Sequence, residues 1–325
     1  MNYIQQAFKG RNEWYHWVLT LVIVFLAWQI LGVIPLVMAA AAHSEDLTEF
    51  TKAAAENFMT LGINKNLFLF LMLFMFAVGL IFLIICVKYI HKRTLKSLIT
   101  SRAKIDWKRF WFGFFAWGIL ALLFSVIGIL TSPENYTFNF NAKPFFILVA
   151  ISLIMIPLQT SFEELLFRGY FMQGIGVLVK NKWMPLIITS VCFGLLHGAN
   201  PEVQKLGMIT MVFYIGTGFF YGITTLMDEG TELALGLHAA NNFFAAFLIT
   251  TDWMVFQTDA LYIDTSEPSV TWEMFLPVFV LYPLVLMVFS KKYGWKNWKD
   301  KLFGSINKPV NLIENYRIID EIDAK

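Results

Sequence analysis

The chain is a succession of long apolar runs, many of roughly 20 residues, the length a helix needs to cross about 30 Å of hydrocarbon. A membrane barrel would instead show short segments of alternating polarity. Eight spans are predicted: Trp14–Ala42, Leu67–Ile90, Phe110–Thr131, Pro144–Val179, Trp183–His197, Leu206–Met227, Leu233–Thr250 and Trp272–Ser290. The fold class that follows is an all-α membrane protein of about eight transmembrane helices. The polar segment His43–Asn66 carries apolar residues at Leu47, Phe50, Ala54 and Phe58, which predicts an amphipathic surface helix.

Composition agrees with this picture. Hydrophobic residues make up 58% of 325 positions and charged residues 15%, against roughly 45–50% and about 25% in a soluble domain. The apolar run that begins at Trp17 is longer than a signal-peptide core, so the first span is read as a retained helix. Cys86 and Cys192 both lie within apolar runs and read as small hydrophobes, with no disulfide expected.

The net charge of +2 argues for no particular partner, and no nucleic acid is expected as one, but the distribution of charge orients the chain. Lys88, Lys92, Arg93, Lys96, Arg102, Lys104, Lys108 and Arg109 collect between the second and third spans, and Lys291, Lys292, Lys296, Lys299 and Lys301 follow the last. The connection Thr251–Thr271 carries Asp252, Asp259, Asp264 and Glu267 and no basic residue. Basic loops stay in the cytoplasm, so both termini are expected inside, with the plasma membrane as the location. Three regions follow: N-terminal helices and loops over 1–143, a core over 144–250, and the last helix with a basic, amphipathic tail over 251–325. Within that tail, Tyr293, Trp295 and Trp298 read as an interfacial anchor.

Ionisable groups inside a span cost about 2.5–3.5 kcal/mol each, which makes them functional candidates. Between Pro144 and Thr250 they are Glu163, Glu164, Arg168, His197 and His238, with the amides Asn241 and Asn242 beside the last. Glu164 and Arg168 are four residues apart and can pair on one helix face. Glu163 is rotated about 100° from Glu164 and left freer for chemistry. If the fourth and fifth spans turn at Asn181, Glu164 and His197 stand at the same height. His238 lies nearer its own loop, so that hairpin must project roughly 10 Å further for the groups to meet. His238 and Asn242 share a face, and Asn241 points elsewhere. Each group also has a bland reading: an ion pair for folding, a core histidine on a backbone carbonyl, or polar glue between helices. The spacings Gly194–Gly198 and Gly218–Gly222 suggest close approach of the fifth and sixth spans.

Taken in order, Glu163-Glu164-x-x-x-Arg168, Phe193-x-x-x-His197 and His238-x-x-x-Asn242 resemble the three motifs of the CPBP family of intramembrane proteases. That family includes the CAAX prenyl endopeptidases and bacterial bacteriocin-processing and self-immunity proteins. The resemblance implies that Glu163 and His197 activate a water, that His238 and Asn242 stabilise the oxyanion, and that Glu164, Arg168 and Phe193 support them. It implies a membrane-associated peptide as substrate, prenylated CAAX-type peptides being one class. It leaves open whether Glu163, His197 and His238 hold a zinc ion, the cofactor that some members are described as using. Two other readings remain: an idle immunity or scaffold protein held together by the same residues, and a proton-coupled transporter with Glu163 and His197 as its relay.

Overall fold

The structure, a computed structural model, describes residues 1–309; the expected tail segment 310–325 lies outside the described residues. Each of the eight predicted spans is helical: α1 (Trp14–His43), α2 (Lys65–Tyr89), α3 (Trp107–Thr131), α4 (Ala142–Val179), α5 (Trp183–Leu196), α6 (Met208–Asp228), α7 (Glu232–Phe247) and α8 (Trp272–Tyr293). Six are long and apolar enough to cross a membrane, while α5 and α7 are shorter, at 14 and 16 residues.

Local chemistry sets several boundaries. The Asn64 side chain accepts from the Asn66 and Leu67 amides to start α2, and Asp106 caps α3 through the Lys108 amide. Lys180 and Glu229 take left-handed conformations that end α4 and α6. The predicted amphipathic helix is Leu47–Ala55, capped by Asp46. Phe50 and Phe58 there pack with Ala40, Ala53, Leu61 and Ile63.

The short helix α7 is the buried centre of the bundle. It packs against α3, α4 and α6, and every residue from Glu232 to Ala240 is buried. Its glycine and alanines permit that approach: a Cβ on Gly236 would run into the Phe110 carbonyl of α3. The outer helices turn the opposite way. On α3 only Gly113, Trp117 and Gly118 are buried, while Ile119, Leu122, Leu123 and Phe124 face outward, as lipid-facing positions must.

The two ends of the bundle differ. At one end a small sheet joins the α3–α4 and α7–α8 connections, its strands in the order β1 (Tyr136–Phe138), β3 (Tyr262–Asp264), β2 (Ile249–Thr250), antiparallel and then parallel. At the other end the N-terminal segment meets both the basic loop between α2 and α3, where the Tyr3 hydroxyl donates to the Leu98 carbonyl, and the C-terminal segment. Gln5 Nε2 donates to the Asn307 carbonyl at 2.9 Å, and Thr100 pairs with Gly230. Arg102 bonds Asp228 at 2.7 Å and Glu232 at 3.0 Å.

Candidate active site

The site starts in α4, where two interruptions of regular helix bracket the paired carboxylates. Pro157 lies on one side of Glu163 and Glu164, and a wider π turn over Leu165–Phe171 begins directly after them. Proline removes one ladder hydrogen bond and a π turn changes the pitch, so this stretch can aim side chains differently from a straight helix.

Glu164 and Arg168 form the expected pair. Arg168 Nη1 donates to Glu164 Oε1 at 2.9 Å, and both side chains are fully buried. Two further contacts hold the guanidinium. Nη2 donates to the Gly218 carbonyl of α6 at 3.1 Å, and the group lies 4.2 Å from the Phe193 ring centroid. Gly218 can serve this way because α5 crosses immediately behind it: a Cβ there would sit 2.5 Å from the Ser190 carbonyl. The close approach of the fifth and sixth spans is thus present at Gly194 and Gly218. Gly198, by contrast, meets only its own preceding turn.

His238 is placed between the two adjacent carboxylates. Its Nδ1 lies 2.8 Å from Glu164 Oε1 and its Nε2 lies 3.5 Å from Glu163 Oε2. A proton on either ring nitrogen therefore meets a carboxylate. Tyr221 stacks on the imidazole at 5.0 Å, and Phe193 meets it edge-on. Glu163 is the freer acid, as its rotation implied: Oε1 accepts from Gln159 Nε2 at 2.7 Å, while Oε2 has no hydrogen-bond partner.

Gln159 was missed by the sequence reading. It joins a chain of amides in which Trp117 Nε1 donates to Asn241, Asn241 to Asn242, Asn242 to Gln159, and Gln159 to Glu163. The only sequence signal was an amide four residues before Glu163 in an apolar run. Asn241 points toward packing, as expected, and Asn242 faces α4.

His197 caps the end of α5, and its Nδ1 lies 2.8 Å from the Phe193 carbonyl. A carbonyl only accepts, so Nδ1 carries the proton and Nε2 is left open. The Phe193 ring stands between the two histidines, 4.8 Å from His197 and 5.8 Å from His238. Among the described residues no hydrogen bond joins His197 to Glu163. The fourth and fifth helices do extend past the α6–α7 turn. Leu226, near the end of α6, shares a hydrophobic cluster with Met172 and Leu186, which lie about 13 and about 7 Å along their helices from the turn at Asn181.

Zinc requires three or four ligands converging at about 2 Å. Among the described residues no group of three His, Cys, Asp or Glu side chains is arranged to hold a metal ion. As placed, Glu163, His197 and His238 do not fit zinc, because the Phe193 ring packs against both histidines and His238 Nδ1 is already bonded to Glu164. A separate open cavity of about 480 Å³, lined by Asn64, Asn66, Phe70, Lys143, Pro144 and Ile147, shares none of these residues.

Three unlike elements, the long broken α4, the short α5 and the buried α7, converge on one polar centre, and comparison with known proteins singles out the same stretch. The family described as type II CAAX prenyl endopeptidase Rce1-like matches residues 142–244, from the start of α4 into α7. The chain is 33% identical over 237 residues to the uncharacterized protein YyaK of Bacillus subtilis strain 168, covering 73% of this chain and 77% of that protein. No solved structure matches it. An all-α membrane protein that shares this sequence region, with its intramembrane carboxylates and histidines, belongs to the Rce1-like, CAAX-type family of CPBP intramembrane proteases.

Proposed function

We propose that the protein is an endopeptidase that hydrolyses peptide bonds of membrane-associated peptides, including prenylated CAAX-type peptides, at the Glu163–His238 centre. The observation that carries this reading is the free Glu163 Oε2, buried inside the bundle and 3.5 Å from His238 Nε2. A purely structural cluster, such as an idle immunity or scaffold protein would keep, is expected to satisfy every buried polar atom. In this centre Glu163 Oε2, Glu164 Oε2 and Arg168 Nε all lack a partner, and of the two acceptors Glu163 Oε2 belongs to the acid that is not paired with Arg168.

In the proposed reaction a water is held between Glu163 Oε2 and His197 Nε2. Its oxygen attacks the scissile carbonyl carbon as its proton passes to Glu163. The developing oxyanion accepts from His238 and from the Asn242 amide. Neutral or charge-assisted donors at such a position are usually the largest catalytic contribution. The carbon–nitrogen bond then breaks and the leaving amine takes the proton from Glu163. Gln159 holds the other oxygen of Glu163 and so fixes which one faces the substrate. Glu164 and Arg168 keep His238 in place. The reaction is proposed to occur at the plasma membrane, with both termini in the cytoplasm.

Glu163→Gln preserves shape and removes the base. In reconstituted protein it should lower cleavage of a farnesylated CAAX-type peptide by roughly 10²–10⁴-fold, the range for loss of a general base, while the protein accumulates normally. Cleavage by Glu163→Gln within a few-fold of wild type would refute the assignment.

A further inference from the structure

Glu202 is a buried acid with an unusual set of partners. It follows Pro201 in the short helix Pro201–Leu206, where an acidic residue ordinarily serves the helix's own amides. Its carboxylate turns away from them. Oε1 accepts from the Tyr214 hydroxyl and from Asn200 Nδ2 at 3.0 Å, and Oε2 accepts from the Val255 amide at 3.1 Å. Glu202 is 5% exposed, and among the described residues it pairs with no Lys, Arg or His. A buried acid held only by neutral donors is costly, which makes Glu202 a candidate for a role beyond capping.

That role is visible in what Tyr214 touches. Its ring lies face to face with the His197 imidazole, with centroids 4.5 Å apart and planes within 19°. His197 is otherwise held by one hydrogen bond, to the Phe193 carbonyl, about which the ring could swing, and by a tilted contact with the Phe193 ring at 4.8 Å. The stack removes that freedom, and the anchored hydroxyl, bonded also by Asn200 Nδ2 at 3.3 Å, stops the tyrosine from tilting away. Through the Val255 amide the same carboxylate ties in the connection that follows α7.

We propose that Tyr214, anchored by Glu202, is a positioning residue that fixes the plane and tautomer of His197, so that Nε2 alone is presented to the reacting water. This inference rests on the proposed hydrolytic role of His197. Its test includes a measurement that does not need catalysis. With ¹⁵N-labelled histidine in detergent-solubilised protein, the His197 signals, assigned by their loss in His197→Gln, should show one Nδ1–H tautomer in wild type and in Glu202→Gln, which keeps an acceptor. In Tyr214→Leu and Glu202→Ala they should move to the averaged positions of a mixed-tautomer ring.

In parallel, kcat on the farnesylated CAAX-type peptide should fall roughly 10- to 100-fold in Tyr214→Leu with KM little changed, the cost of a misaligned group. Glu202→Gln should restore most of the loss seen in Glu202→Ala. Unchanged His197 signals in Tyr214→Leu and Glu202→Ala overturn the proposal, as does a loss that appears in KM alone. If Tyr214→Leu fails to fold, Glu202→Ala decides, because it leaves the stacked ring present but unanchored. If wild type does not cleave the peptide, the hydrolytic reading fails, while the nitrogen signals still judge the positioning claim.

Discussion

Arg168 has no exposed surface, and its charge is answered by a single carboxylate, that of Glu164. Removing one member of a buried pair leaves an uncompensated charge, which costs about 3–5 kcal/mol, whereas replacing both can be nearly neutral. Arg168→Ala should therefore lower the melting temperature strongly in detergent. The double change Glu164→Gln with Arg168→Met should recover only part of the loss. Glu164 also meets His238 Nδ1, and Arg168 also serves the Gly218 carbonyl, so the paired replacement still strips two other groups. Full recovery would mean that those two contacts contribute little; no loss in Arg168→Ala would mean that the arginine is solvated. Glu163 sits next along the chain but differs in kind: it is not paired with Arg168, so its removal should cost activity and not stability.

At the scale of elements, the packing of α1 against α2 and α4 depends on a buried histidine at the end of α2. His91 Nδ1 meets the Arg11 carbonyl at 2.8 Å and Nε2 meets the Tyr170 hydroxyl at 2.9 Å, while Trp17 packs on the ring at 4.5 Å. Burial, with Arg93 and His16 nearby, pushes its pKa down from the ordinary 6.5 to about 4. Between these values the unfolded chain binds a proton that the folded protein excludes. The stabilisation is thus complete above about pH 6.5 and is lost progressively as pH falls toward about 4. The melting temperature in detergent should drop across that window, and His91→Gln, though less stable at pH 7, should show a shallower slope. Equal slopes would remove His91 from the account.

The elements also show what the sequence made legible. The apolar runs gave the spans, and the four-residue spacing gave the Glu164–Arg168 pair, because both are local properties of a helix. The placement of His238 between Glu163 and Glu164 was hidden, since it depends on how α7 crosses α4, a contact between positions 74 residues apart. Gln159 was hidden for a different reason: one amide in an apolar run looks the same whether it bonds a catalytic acid or a neighbouring helix. The π turn after Glu164 left no recognisable mark, and the anchoring of His197 through Tyr214 joins residues that no motif contains.

At the scale of the molecule, an even number of crossings, eight if the shorter α5 and α7 count with the six long apolar helices, would return the chain to the side on which it began, and the contact between Gln5 and Asn307 agrees with that parity. The α4–α5 turn belongs to the same end, because the Lys182 amide donates to the Gly304 carbonyl at 3.1 Å and the Ile306 amide to the Lys180 carbonyl at 2.9 Å. The acidic connection before α8 lies at the opposite end, where Tyr262–Asp264 pairs with Tyr136–Phe138. Basic residues are retained in the cytoplasm, so the end bearing Arg102, Arg109, Lys182 and Lys301 should face inward and the sheet outward. Single cysteines test this in a Cys86→Ser, Cys192→Ser background. Lys180 and Thr265 are both exposed, and neither belongs to the polar centre. In intact cells an impermeant thiol reagent should modify Thr265→Cys and should reach Lys180→Cys only after permeabilisation. The reverse pattern would invert the protein and put the α4–α5 turn outside. Labelling of both in intact cells would break the eight-crossing topology itself, since the two positions would then share a side.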